Sequence, residues 1–264
     1  MHASPQQSFL HLQIQMIVPD NSGYLIVRIL SEDDLLSLRS RINEQIRSIL
    51  KRHDPEASWL IEDEDDPLSA YHKLGMRPEH AATWIKTNRL LSEQDSEWFE
   101  NTASIKSLRE SLKALGISDE EQIGRSNYYW RLTRPAIEED IGPVHRDEWF
   151  WRLNKDFGHD LTGLKRVKVW IAIQTEQGMN GLLVQPGSHK REDLLWEGRL
   201  AGSITKPVLK TDLDPSSMIL LPTPPGYGVI FHDKLLHGGS LNQSNFCRCS
   251  IEFTLLVPSD KEVL

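Results

Sequence analysis

Apolar residues recur along this chain at two spacings, helical in the first half and alternating in the second. Leu10 to Met16 alternates briefly and predicts an edge strand, and Gly23–Leu30 (GYLIVRIL) is a β-branched apolar run that predicts a buried one. Ser31 then stands before three acids as an N-cap. Leu35, Leu38, Ile42, Ile46 and Ile49 follow at helical spacing, so an amphipathic helix is expected over 32–52. From Arg52 to Pro67 the chain is acidic and irregular around Glu62-Asp63-Glu64-Asp65-Asp66, the pattern of a solvated loop. Shorter helical pieces are expected around 79–90, 93–100 and 103–114, with Ser92 and Thr102 as caps.

Strand character takes over from about residue 126. Ser126–Thr133 alternates, a loop covers Pro135–Pro143, and Lys165–Gln174 (KRVKVWIAIQ) is a clear strand. Gly181–Gln185, Met218–Leu221, Gly228–Phe231 and Phe246–Val257 continue the series, broken by turns such as Pro186-Gly187-Ser188. Many short strands preceded by helices predict a mainly β fold with α. The expected core is a double-stranded β-helix (jelly-roll, cupin-like) over about 126–257, with a helical flank over about 31–120. No internal repeat or low-complexity linker divides the chain, so one domain spanning 1–264 is expected.

Charge narrows the partners. The net charge of -8 and pI near 5.7 argue against a nucleic-acid surface, which needs a basic stripe. An acidic chain that binds a small anion must therefore supply a buried cation of its own. No run has the length of a membrane-spanning helix and the start lacks the regions of a signal peptide, so a cytoplasmic protein without membrane contact is expected. Cys247 and Cys249 are poorly spaced for a disulfide with each other and read as small apolar side chains under a sheet.

The chemistry concentrates around Pro143–Trp151. His145 and Asp147 share a side of an extended segment and can offer two adjacent positions to one metal ion. The third ligand is sought in Gly228–Gly239, where His237 precedes a glycine pair and His232 directly follows an apolar strand. Two histidines and a carboxylate form the facial triad of non-haem Fe(II) oxygenases, which leaves positions open for substrates. On the following strand Arg248 and Ser250 share one face and the cysteines the other. A guanidinium beside a hydroxyl can hold one carboxylate of a dicarboxylic co-substrate whose other end reaches the metal.

The pattern His145-x-Asp147, His237, Asn242 and Arg248 resembles the phytanoyl-CoA dioxygenase-like Fe(II)/2-oxoglutarate oxygenases. The Pro186-Gly187-Ser188-His189 turn, the Gly228–Phe231 strand and the Gly23–Leu30 strand with its following helix are similar too. The resemblance is good over 126–256, weaker over 23–50, and absent over 52–120. It implies that His145, Asp147 and His237 bind Fe(II), that Arg248 binds the far carboxylate of 2-oxoglutarate with Ser250 beside it, and that Trp170 lines the co-substrate pocket. One of Asn127, Tyr129 and Arg131 would steady the co-substrate near the metal, with Arg131 carried forward. It also implies a hydroxylation that consumes O2 and releases succinate and CO2, on a small-molecule substrate. With Asp147 present, halogenation is not expected.

The segment Glu148–Gly163, with Trp149, Phe150, Trp151, Arg152 and His159, is longer than the family's link and is expected to form a lid or substrate wall; packed aromatics are the alternative for Trp149 and Trp151. His189 is expected to be structural, and Lys190 and Arg191 to sit in a solvated loop. Two other functions remain open: a cupin-type metalloenzyme that does not use 2-oxoglutarate, and a non-catalytic small-ligand module on the same scaffold. Oligomeric state has no signal in the sequence.

Overall fold

Helix formation begins where the capping chemistry predicts. The Ser31 side chain accepts from the Asp34 amide and opens α1 (Glu32–His53), with acids in its first turn and basic residues in its last. This computed structural model describes residues 21–62, 64–75, 84–118, 127–153, 161–201 and 204–260. Leu38, Ile42, Ile46 and Ile49 all lie on the buried side of α1. Ser92 and Thr102 cap α4 (Glu93–Asn101) and α5 (Ala103–Leu112), each accepting from a backbone amide three residues on.

The acidic stretch departs from expectation because two prolines and two aspartates organise it. Asp54 and Pro55 start α2 (Pro55–Leu60), and Pro67 starts α3 (Pro67–Ala70). Asp66 is tied to α1 through Arg39 and through Asn43 at 2.9 Å. The helix expected over 79–90 reduces, within the described residues, to one 3-10 turn at Lys86–Arg89. The Leu10–Met16 strand lies outside the described residues.

The strands form a double-stranded β-helix. Its larger sheet is antiparallel, with β1 (Tyr24–Arg28), β9 (Tyr227–His232), β4 (Leu164–Gln174), β11 (Arg248–Pro258) and β2 (Gly116–Ser118) in that order. Strand β3 (Tyr129–Thr133) also pairs with β11. A smaller sheet joins β10 (His237–Gly239), β5 (Leu182–Val184) and β8 (Ile219–Leu220). A hairpin of β6 (Trp196–Ala201) and β7 (Ile204–Leu209), not anticipated from the sequence, adds a separate ribbon. One face of the larger sheet packs on α1, α4 and α5, where Val167, Val169, Ile171, Ile251, Phe253 and Leu255 join the main apolar core. Its opposite face, with Trp170, Ala172, Val229 and Phe231, meets Leu182 and Val184 of the smaller sheet. Both cysteines are free thiols buried on the helix side, as expected, and burial pushes the Cys247 thiol up to about 12.

Candidate metal centre and co-substrate cavity

His145 does not lie on a continuous strand with Asp147. It makes an isolated antiparallel bridge with His237, each amide donating to the other's carbonyl at 2.9 and 3.0 Å. The chain then turns, and Asp147 is the first residue of α6 (Asp147–Leu153). The two side chains converge because a bridge meets a helix start there, which corrects the strand-alternation argument. Arg146, between them, points away as expected: its guanidinium donates to the carbonyl of Ser188 and, at 2.7 Å, to that of Arg191. Ser188 also accepts the Leu236 amide on its Oγ at 2.8 Å. The Pro-Gly-Ser turn thus braces both ligand-bearing segments, and Gly187 occupies the left-handed region (φ 74°) that a glycine adopts without strain.

The three side chains present one ligand atom each within 4.8 Å of one another. Nε2 of His145 is 3.7 Å from Oδ1 of Asp147, and Nε2 of His237 is 3.8 Å from Oδ2. Each imidazole places Nδ1 against a carbonyl, Pro143 at 2.8 Å and Leu235 at 2.9 Å. A neutral ring there carries its proton on Nδ1 and turns a bare Nε2 toward the carboxylate, the tautomer a metal needs. Burial pushes His237 down to about 4, so its ring is neutral near pH 7. Burial would raise the Asp147 carboxyl, but Lys168, His237 and His145 outweigh it and hold the group well below the usual carboxylate range. Asp147 Oδ2 is buried and accepts no hydrogen bond. A divalent cation fits this donor set of two imidazoles and one carboxylate whose Oδ2 is buried and unsatisfied, and it would replace the proton that Asp147, against the effect of burial, favours on His145.

A cavity opens beside the triad, with His145, Asp147 and His237 in its wall. Arg248 reaches it from the inward face of β11, donating from Nη1 to the Gly181 carbonyl at 2.9 Å and from Nη2 to Thr133 Oγ1 at 2.6 Å. Its Nε has no partner, nor has the Oγ of Ser250, which is fully buried two residues on. Burial lowers the guanidinium to about 10, still a cation near neutral pH. Two unsatisfied buried polar atoms on one strand face fit a carboxylate.

Trp170 lines the same cavity. Of the three upstream candidates only Arg131 does so. It is paired with Glu252 at 2.6 Å, whereas Tyr129 lies under the Lys86 ammonium and Asn127 is buried elsewhere. Asn242 is structural: its amide donates to the carbonyls of Thr133 and Phe246 and its Oδ1 accepts from Asn180, clamping the loops that carry Arg248. His232 and His189 stack with ring centroids 5.6 Å apart, outside the triad. Lys190 binds Asn21 and Arg191 binds Asp193 at the surface.

Trp149 is not among the cavity's lining residues. It is 1% exposed and stacks on Trp196 at 5.5 Å, so the packed-aromatic alternative holds for it. Trp151 lies under the Arg166 guanidinium at 4.5 Å, and residues 154–160 of the expected lid lie outside the described residues. The sequence reading missed Thr133, Lys168 and Glu252. All three lie on the strand faces that carry Arg131, Trp170 and Ser250, and the period-two rule applied from those residues would have found them.

A family model described as phytanoyl-CoA dioxygenase matches residues 20–250. Among solved structures, the non-haem monooxygenase ThoJ in its apo form is 11% identical with a TM-score of 0.54, covering 95% of this chain and 78% of that one. EvdO2 from Micromonospora carbonacea var. aurantiaca is 16% identical at 0.53, covering 96% and 94%. EctD from S. alaskensis, solved with 2-oxoglutarate and 5-hydroxyectoine, is 14% identical at 0.52, covering 96% and 76%. At these identities the structures speak for the fold. The curated proteins give no match.

Proposed function

Since the chain belongs to the phytanoyl-CoA dioxygenase family and carries its Fe(II)-binding triad, we propose that it hydroxylates a small-molecule substrate at the expense of 2-oxoglutarate and O2, releasing succinate and CO2. The observation that carries this reading is Arg248, which lines the cavity of the triad and keeps a buried, unpartnered Nε, with the buried, unpartnered Oγ of Ser250 two residues on along the same strand. Iron, when bound, supplies the activation of O2 coupled to decarboxylation of the co-substrate.

The protein's own residues supply everything that orients the reaction. The carbonyls of Pro143 and Leu235 take the Nδ1 protons of His145 and His237 and so orient each Nε2 toward the metal position, and Asp147 remains a carboxylate. Arg248 and Ser250 receive the far carboxylate of 2-oxoglutarate. Thr133 and the Gly181 carbonyl hold the other two guanidinium nitrogens, so the fork is aimed before the ligand arrives. Trp170 walls the co-substrate, and Arg131, steadied by Glu252, stands at the cavity edge to orient its metal-end carboxylate. The sheets on either side exclude water from a reactive centre.

We place this activity in a single domain and in a reducing, cytoplasmic setting that suits two free buried thiols. No helix among the described residues is long and apolar enough to cross a membrane. The test is succinate formation from 2-oxoglutarate under Fe(II), with His145→Ala and Asp147→Ala as controls. Turnover equal to wild type in those variants would sink the reading. Turnover that survives Arg248→Ala would instead favour a metalloenzyme that does without 2-oxoglutarate.

A further inference from the structure

Two of the three metal ligands hold each other in place. His145 and His237 share a backbone bridge at 2.9 and 3.0 Å, and each ring rests its Nδ1 on a carbonyl of its own segment. Asp147 stands outside that bridge. It opens α6, and its Oδ2 is buried without accepting a hydrogen bond. Where its carboxylate lies relative to the two imidazoles therefore depends on the pose of α6. A helix of seven residues is too short to hold itself in water, so what it packs against sets that pose.

At its start α6 is tied by the Glu148 amide, which donates to the Asp233 carbonyl at 3.0 Å. Along its length it meets the β6–β7 hairpin, which pairs with neither sheet. Trp149 stacks on Trp196, with ring centroids 5.5 Å apart and planes 12° from parallel, and the Arg152 guanidinium lies 5.6 Å from the centroid of the same Trp196 ring. Leu153 fills the notch left by Gly198, where a Cβ would come within 2.8 Å of Leu153 Cδ2 and of Thr205 Cγ2. Positions 196 and 198 share a face of β6, so that face lies along the helix that begins with Asp147. The same contacts close one apolar cluster behind the triad. Val144 precedes His145, Leu236 precedes His237 and Trp149 follows Asp147 by two, and all three enter it. Its other members, Leu194, Trp196, Leu209 and Leu213, come from the hairpin and its flanks.

We propose that the β6–β7 hairpin is a positioning element for the metal centre and that Trp196 is its positioning residue. Stacked on Trp149, it sets the pose of α6 and through it the place of the Asp147 carboxylate. The inference rests on the triad as the Fe(II) site and goes beyond it by tying the site's affinity to a ribbon outside both sheets. Such coupling is reciprocal: metal binding tightens the docking of the hairpin by the factor that docking tightens the metal.

Co(II), whose visible absorption reports its coordination, tests this on the metal-free chain with no substrate present. Calorimetric titration should find Co(II) bound roughly tenfold or more weakly by Trp196→Ala than by wild type, the range that support of a metal ligand commands, with the visible bands altered. Trp196→Phe keeps an aromatic face for Trp149 and should restore both. Gly198→Val reaches the same docking from another side. A β-branched residue suits this exposed strand position but fills the notch of Leu153, so Co(II) binding should weaken there too, and this variant carries the test if Trp196→Ala does not fold. In wild type, hydrogen exchange of the β6–β7 amides should slow on Co(II) binding; in Asp147→Ala at Co(II) saturation it should not. Folded Trp196→Ala and Gly198→Val proteins that bind Co(II) as wild type does, with unaltered bands, would overturn the inference. So would hairpin exchange in wild type that is indifferent to Co(II), or a loss in Trp196→Ala that Trp196→Phe fails to restore. Wild type that does not bind Co(II), or Asp147→Ala that binds it equally well, overturns the triad and this inference together. Binding lost in Asp147→Ala but kept in Trp196→Ala overturns this inference alone.

Discussion

Strands β4 and β11 carry two buried faces with opposite chemistry. Toward the helices they present Val167, Val169 and Ile171 with Cys249, Ile251, Phe253 and Leu255, an apolar layer. Toward the cavity they present Lys168 and Trp170 with Arg248, Ser250 and Glu252. Both faces are shielded from water, yet only the first gains stability from it. The cavity face carries desolvated charges and unpartnered donors, which a ligand-free protein tolerates at a cost. Alternation along one pair of strands thus lets a stable layer hold a costly one rigidly in place, and substitutions on the two faces should fail in different ways.

The largest expected effect is on the cavity side. Asp147→Ala removes a ligand and a buried charge, and should lower 2-oxoglutarate turnover by on the order of 10³ or more. The helix side should behave oppositely. Phe253 packs edge-on against Tyr128 at 5.0 Å and against Phe99 at 6.3 Å, and is 2% exposed. Phe253→Ala is expected to cost about 3–5 kcal/mol of unfolding free energy. Turnover per folded molecule should fall far less than in Asp147→Ala. A Phe253→Ala protein of normal stability would break the comparison.

Arg248→Met sits between these extremes. It removes the co-substrate's cation, so calorimetry should find 2-oxoglutarate bound roughly 100-fold more weakly, the loss of charge-assisted bonds worth about 3 kcal/mol. The same exchange replaces a buried charge by an apolar side chain of similar length, so the thermal midpoint of the ligand-free protein should hold or rise. A joint loss of stability and binding would mean that Arg248 belongs to the scaffold through Thr133 and Gly181 rather than to the ligand.

The same contrast explains what could be read from the chain. Helix α1 and the face split between Arg248 and the cysteines were legible because each rests on local periodicity, and the triad because His145-x-Asp147, His237 and Arg248 together resemble a known family's pattern. The reason His145 and Asp147 converge was not legible. It depends on the bridge to His237, a long-range pairing that turns a strand-like segment into a helix start. Trp149 stayed open between substrate wall and packed aromatic because its partner, Trp196, lies on a hairpin with no clear signal of its own. Lys168 was passed over for a related reason. A cation alternating with valines reads as solvent-facing until a second sheet, distant in sequence, is known to cover that side.

The smallest and most specific expectation concerns Glu252, which joins the cavity face electrostatically. Burial raises its carboxyl, but Arg131 and Lys168 outweigh that and bring it down to about 2 from the ordinary glutamate value of 4.5. A carboxyl with a depressed folded-state value binds protons less readily folded than unfolded. Its contribution is therefore complete above about pH 4.5 and is lost as pH falls toward about 2. Glu252→Gln keeps the shape and removes the titration. In urea unfolding the variant should be less stable than wild type at pH 7, by on the order of 1–3 kcal/mol given the partly exposed Arg131 partner. The gap should close through the window from pH 4.5 to 2, because wild type loses there what the variant never had. A gap that is constant with pH would mean the charges around Glu252 contribute nothing to folding, and that the cavity face is held up entirely by the apolar layer behind it.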